Sequence, residues 1–125
     1  LWIGTDNGLF RLENGKFIIN PQFEWTGGGM VSNAEDLARW AKLLYEGKAF
    51  DALLVPEMLN GIPAKLGRDS KYGLGVIIRK SQTGILIYGH SGFFPGYMTD
   101  MMYFPDKKIS IAGQVNSSVS QNLGK

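Results

Sequence analysis

The residues with chemistry to offer gather in one stretch, Tyr88-Gly89-His90-Ser91-Gly92-Phe93-Phe94-Pro95-Gly96-Tyr97, which holds the single histidine of the 125-residue sequence beside a serine and three glycines. An imidazole can donate a proton or a hydrogen bond near neutral pH, and a hydroxyl can bond a carbonyl or carboxylate. Glycine in a strand lets a ligand approach the backbone closely. These properties describe a substrate-binding edge. A tight loop between strands, whose histidine only satisfies a local hydrogen bond, describes the same residues, and composition by itself favours that plainer reading. Two sharper possibilities fail. His90 and Ser91 are neighbours, so on an extended strand their side chains point to opposite faces and do not form a nucleophile–base pair. There is no G-x-S-x-G elbow, and Gly27-Gly28-Gly29 lacks the lysine and the strand–loop–helix setting of a phosphate cradle.

The totals narrow the classes further. An apolar fraction of 44% and a charged fraction of 19% belong to a globular chain with one core, and no apolar run approaches the ~20 residues of a membrane span. Thirteen basic and eleven acidic side chains leave a net charge of +2 without blocks, so the electrostatic footprint of a nucleic-acid binder is missing. The absence of cysteine removes disulfides, thiol catalysis and thiolate zinc sites, and one histidine does not build a histidine-rich metal centre. No metal or cofactor is expected.

The elements that must position the His90 stretch can be read from periodicity and turn signals. Leu1 to Ile19 reads as a small β-hairpin region, broken at Asp6-Asn7-Gly8 and Asn14-Gly15. Ser32 with Glu35 three residues on predicts a capping box, and Leu37, Trp40, Ala41 and Leu44 form the apolar stripe of an amphipathic helix that Gly47 ends. A shorter helix is predicted from Pro56 to Gly61, then surface loop over Ile62 to Lys71. Four strands follow, Tyr72–Arg79, Ile85–His90, Tyr97–Phe104 and Ile109–Val115, in an antiparallel meander. Ile109, Ile111, Gly113 and Val115 alternate with Ser110, Ala112, Gln114 and Asn116, whereas Ile85-Leu86-Ile87 and Met101-Met102-Tyr103-Phe104 are apolar on both faces, a contrast that fits a sheet with helices on both sides. The tail over Ser117 to Asn122 is too polar to pack.

Three stretches carry a resemblance. Gly27 to Trp40 is similar to a G-G-x-x-S-x-x-x-D-L-A-R-W segment, Tyr72-Gly73-Leu74-Gly75 to a Y-G-L-G-W-type strand, and Gly89-His90-Ser91-Gly92 with Pro95-Gly96-Tyr97 to a G-H-[ST]-G-x-x-x-G motif. All three occur in this order in the serine beta-lactamase and penicillin-binding family, which includes class C beta-lactamases, D-alanyl-D-alanine carboxypeptidases and related esterases. The resemblance covers roughly residues 24 to 118. It implies an α+β fold, an antiparallel meander sheet packed by helices. It also implies roles: His90 in the lysine or histidine place, assisting proton movement and fixing an anionic substrate group; Ser91 hydrogen-bonding the substrate; Gly92 leaving clearance; and the Phe93 N–H as one of two oxyanion donors.

The family's S-x-x-K nucleophile motif does not occur in these residues, since no serine has a lysine three positions later, and Y-x-N is also absent. The chain is therefore expected to be the C-terminal part of a hydrolase domain, residues 24–125, truncated at both ends, preceded by a hairpin lead-in over residues 1–23 and inactive alone. Leu1 to Leu12 also resembles the L-W-I-G-T-x-x-G-L repeat of sensor β-propellers, although one repeat cannot close a propeller. That leaves a second expectation, a non-catalytic binding or sensory module. In the hydrolase reading the partner is a small-molecule or peptide substrate, uncovered sheet edges invite self-association, and family membership implies the periplasm or cell surface.

Overall fold

The computed structural model describes residues 2–5, 8–14, 16–19, 27–28, 30–67 and 69–117. The chain divides into two compact units, Leu1–Ser32 and Asn33–Lys125. The boundary expected between residues 23 and 24 lies outside the described residues, as does the tail from residue 118.

The first unit is a three-stranded antiparallel sheet, β1 (Trp2–Thr5), β2 (Gly8–Glu13) and β3 (Lys16–Ile19), in the order β1-β2-β3. Its registers pair Ile3 with Phe10 and Leu12 with Phe17. Asn14, between β2 and β3, has φ 50°, a left-handed value that asparagine tolerates better than most residues.

The second unit opens with α1 (Ala34–Tyr45). Its N-cap is Asn33, whose side-chain oxygen accepts from the Asp36 N–H at 2.8 Å, one residue later than the Ser32 capping box predicted. Both residues can cap, and the amide at 33 takes the place the box would have used. The C-terminus is a complete Schellman motif. Lys48 N–H donates to the Leu43 carbonyl at 2.8 Å and Gly47 N–H to Leu44 at 3.2 Å, with Gly47 at φ 68° as anticipated. A 3-10 turn (Ala52–Leu54) leads into α2 (Val55–Met58), a single turn with proline in its first positions.

Six strands complete the unit: β4 (Ile62–Pro63), β5 (Lys71–Tyr72), β6 (Ile77–Lys80), β7 (Leu86–Phe94), β8 (Tyr97–Phe104) and β9 (Ile109–Val115). They form one antiparallel meander in chain order, the predicted architecture. Two expectations need correction. The stretch taken as surface loop carries β4, which pairs with β5, and the strand predicted over Tyr72–Arg79 is cut into a hairpin by Gly73-Leu74-Gly75-Val76. Gly75 at φ 69° makes that turn, and a Cβ on Gly73 would fall onto the Met58 carbonyl oxygen.

The core lies between α1 and one face of the sheet. Ala41 and Tyr45 of α1 pack with Met58, Val76, Met101 and Tyr103, joined by Ile78 and Tyr88. Tyr45 stacks at 5.6 Å on Tyr103 and meets Tyr88 at the same distance, contacts worth about 0.5–1.5 kcal/mol each beyond the area they bury. Burial pushes the Tyr45 phenol up to about 12. Trp40, predicted to be buried, is 49% exposed. With about 100° per residue, Trp40 and Tyr45 are the two margins of the stripe centred on Leu37, Ala41 and Leu44, and the sheet takes the Tyr45 margin. On β9, cross-strand pairing puts Ser110 and Ala112 on the α1 side with Tyr103 and Met101, so Ile109 and Ile111 face the other way and are about half exposed. On the reverse face Ile77 and Ile87 are buried as well, but no helix covers that face among the described residues.

Glu46 ties the end of α1 to the sheet. Its carboxylate accepts from Lys42 at 2.6 Å, Lys48 at 2.8 Å and the Tyr103 hydroxyl at 3.2 Å, while Lys42 also reaches the Lys108 carbonyl in the β8–β9 turn at 2.7 Å. Hydrogen bonds from Lys42 and Lys48 hold the Glu46 carboxyl at about 2. A depressed carboxyl stabilises the fold above its unfolded value of about 4.3 and loses that contribution as the pH falls toward the folded value. Comparing urea midpoints of the parent chain and Glu46→Gln across pH should therefore give a gap that is full near neutrality and closes on acidification through this window. A gap independent of pH would mean that the carboxylate charge contributes nothing.

Candidate active site

The His90 stretch is strand. β7 continues through Gly89-His90-Ser91-Gly92 to Phe94, rather than ending at His90 as predicted, and every residue from Tyr88 to Phe94 has a partner on β8. Pro95-Gly96 closes the hairpin, with Gly96 at φ 91°, the left-handed value that a turn of proline then glycine requires. The loop reading fails because β8 pairs the stretch as strand, with Gly89 in close approach to it.

On its other side β7 is only half covered. β6 pairs with Leu86 to Gly89 and no further, so Ser91 to Phe94 have no neighbouring strand there among the described residues. Backbone groups alternate direction along a strand, and the two-residue turn makes Phe94–Tyr97 a hydrogen-bonded pair. The N–H and C=O of His90, Gly92 and Phe94 therefore point to β8, while those of Ser91 and Phe93 point to the open edge. The Phe93 N–H, assigned above as an oxyanion donor, lies on that edge, and the Phe93 side chain is 67% exposed.

Side chains also alternate. His90 shares the α1 side of the sheet with Tyr88 and Met101, and Ser91 lies on the reverse with Asp100, its cross-strand partner. The histidine and the serine hydroxyl are thus on opposite faces, as their adjacency predicted. His90 Nδ1 instead meets the Ser91 backbone carbonyl at 2.6 Å, and Nε2 meets the Tyr72 hydroxyl at 2.8 Å. The Tyr72 and His90 rings stand edge to face at 5.7 Å.

Two glycines of the motif have different work. A Cβ on Gly89 would fall onto the Met101 carbonyl oxygen, so packing alone demands glycine there. A Cβ on Gly92 would meet only the Thr99 Cβ at 3.8 Å, an ordinary contact, so nothing within the described chain demands it.

Sequence reasoning missed two participants. Tyr72 belongs to the Y-G-L-G stretch, and its contact with His90 joins residues 18 positions apart, which no local pattern encodes. Asp100 is 7% exposed, with Oδ2 at 3.5 Å from Arg79 and Oδ1 without a hydrogen-bond partner among the described residues. Its signal was present, a lone charge inside the apolar run Tyr97 to Phe104.

The beta-lactamase family model matches residues 4–124, which takes in β2, β3 and the end of β1. Among solved structures, a D-stereospecific amidohydrolase from Streptomyces sp. is similar at TM-score 0.73 and 26% identity, over 79% of this chain and 29% of that one. The octameric penicillin-binding protein homologue from Pyrococcus abyssi is similar at TM-score 0.61 and 26% identity, over 87% of this chain and 26% of that one. The chain spans less than a third of the length of either.

Two measurements check this geometry. Gly89→Ala should destabilise the fold by about 1–3 kcal/mol or more through forced displacement of β8, whereas Gly92→Ala should stay within about 1 kcal/mol of the parent chain, read from urea midpoints. Equal losses at both positions would contradict the distinction. In amide hydrogen exchange, Gly92 should be protected and Phe93 should exchange rapidly; a protected Phe93 would mean that the edge is closed.

Proposed function

Because the chain belongs to the beta-lactamase family, we propose that it forms one wall of the cleft of a serine hydrolase that works through an acyl-enzyme. The observation that carries this reading is the open edge of β7, which turns the Phe93 N–H and the Ser91 carbonyl outward beside His90. An extended substrate can lie along such an edge and complete the ladder.

The family resemblance gives each group a task. A serine hydroxyl attacks the substrate carbonyl carbon, and the bond electrons move to the carbonyl oxygen. That oxyanion accepts hydrogen bonds from the Phe93 N–H and from a second donor at the nucleophile; removing one such donor typically costs a few kcal/mol of transition-state stabilisation, about 2.7–4. Collapse expels the protonated leaving group, and water then cleaves the acyl-enzyme. His90 assists proton movement, Ser91 hydrogen-bonds the substrate, and Gly92 leaves room for it, a Cβ there meeting nothing nearer than the Thr99 Cβ at 3.8 Å. The nucleophile is not among these residues, because no serine here has the lysine at the third position that would activate it. Ser91 does not replace it, since its hydroxyl lies on the face away from His90.

The substrate is an amide, a β-lactam or an ester. The likeness to a D-stereospecific amidohydrolase supports the amide. Incubated with a chromogenic cephalosporin, a short-chain aryl ester and a D-amino-acid amide, the 125-residue chain should turn over none of them and show no mass increase on Ser91. Adding residues that bring an S-x-x-K serine should produce acylation of that serine, and Gly92→Leu in the longer protein should then raise KM sharply with the fold intact. Turnover or a Ser91 adduct in the chain alone would sink the assignment.

A further inference from the structure

Both ring nitrogens of His90 are engaged inside the chain, and the two partners differ in kind. The Ser91 carbonyl oxygen, 2.6 Å from Nδ1, can only accept, so Nδ1 carries the proton. In the neutral ring Nε2 is then a bare acceptor, and the Tyr72 hydroxyl at 2.8 Å is its donor. We propose that Tyr72 is a positioning residue of the site: its phenol O–H donates to Nε2 and, together with the Ser91 carbonyl at Nδ1, fixes the plane and the tautomer of the His90 ring.

The scaffold around Tyr72 suits that task. It ends β5 with its backbone registered on Ile77, and Ile77 is itself registered on Gly89, next to His90. The following residues are tied down, with Gly73 N–H donating to the Val76 carbonyl at 2.8 Å and Leu74 N–H to the Met58 carbonyl at 3.0 Å. The edge-to-face contact of the rings, at 80° between planes, restrains the imidazole from a second direction. The consequence deepens the hydrolase reading, on which its catalytic meaning rests. In the neutral ring Nε2 is the nitrogen able to take a proton, and taking one replaces the hydrogen bond donated by Tyr72, whose phenol oxygen then turns to accept, while Nδ1 stays committed to the strand.

Because His90 is the only histidine in the sequence, its ring nitrogens can be observed without assignment ambiguity in a uniformly 15N-labelled chain. In a two-bond 1H–15N spectrum at alkaline pH, the parent chain should show Nδ1 protonated and Nε2 bare, the reverse of the form free histidine prefers. The Nε2 resonance should lie upfield of a nitrogen that accepts nothing. Tyr72→Phe should move it downfield to the unbonded position, with the amide spectrum still dispersed. Should that variant fail to fold, replacing tyrosine by 3-fluorotyrosine keeps the hydroxyl and raises its acidity, and should move Nε2 further upfield. An Nε2–H tautomer in the parent chain, or an Nε2 resonance indifferent to both replacements, overturns the proposal. The readout does not involve turnover, so a failure of the hydrolase reading would leave it standing.

Discussion

The arrangement depends on a mismatch of strand lengths: β6 is four residues long where β7 is nine. A backbone strand must place its N–H and C=O groups on something, and β8 takes only alternate residues of β7. Had β6 continued, Ser91 and Phe93 would have closed a second ladder and the motif would be ordinary sheet interior. The turn Gly73-Leu74-Gly75-Val76 sets where β6 can begin. The Leu74 N–H bond to the Met58 carbonyl at 3.0 Å, the glycine that this approach requires at Gly73 and the left-handed Gly75 hold that turn. One short turn therefore both opens the edge and brings Tyr72 to its end.

The same logic explains why the hydrophobic packing stands where it does. Tyr45, Tyr88 and Tyr103 stack under α1 two residues along from His90, so the helix clamps the covered half of β7 and leaves the uncovered half without a burden of packing. Gly89 marks the change, being the last β7 residue paired with β6 and also the point where β8 comes too close for any Cβ.

Much of this was legible from residue types. The bounds of β8 and β9 follow from Pro95-Gly96 and Pro105-Asp106-Lys107, because turn chemistry is local and needs no partner to act. The Schellman end of α1 was equally plain in Gly47. What escaped was decided by partners. Ser91 to Phe94 fell beyond the predicted strand end at His90, yet β8 pairs all of them, and only the neighbouring strand determines that. The stripe on α1 named Trp40 because periodicity gives a face without saying toward which margin the sheet leans. On β9 the alternation of Ile109 and Ile111 with Ser110 and Ala112 was correct, but the small residues meet α1, since a helix held close to a sheet over Tyr103 and Met101 leaves no room for isoleucine.

The site residues divide along the same line. Gly-His-Ser-Gly announces polar groups on a strand, and that much is local. Whether the histidine faces a ligand with a free nitrogen is not local, because the Tyr72 hydroxyl that meets Nε2 stands 18 positions earlier in the chain. A histidine with both nitrogens satisfied is geometrically fixed, and fixed groups make the better proton exchangers, since they spend no entropy finding their orientation at the moment of reaction. The plain reading of His90, as a residue meeting a local hydrogen bond, and the catalytic one therefore do not exclude each other. The bond to the Ser91 carbonyl is what orients the ring toward the edge that the short β6 leaves open.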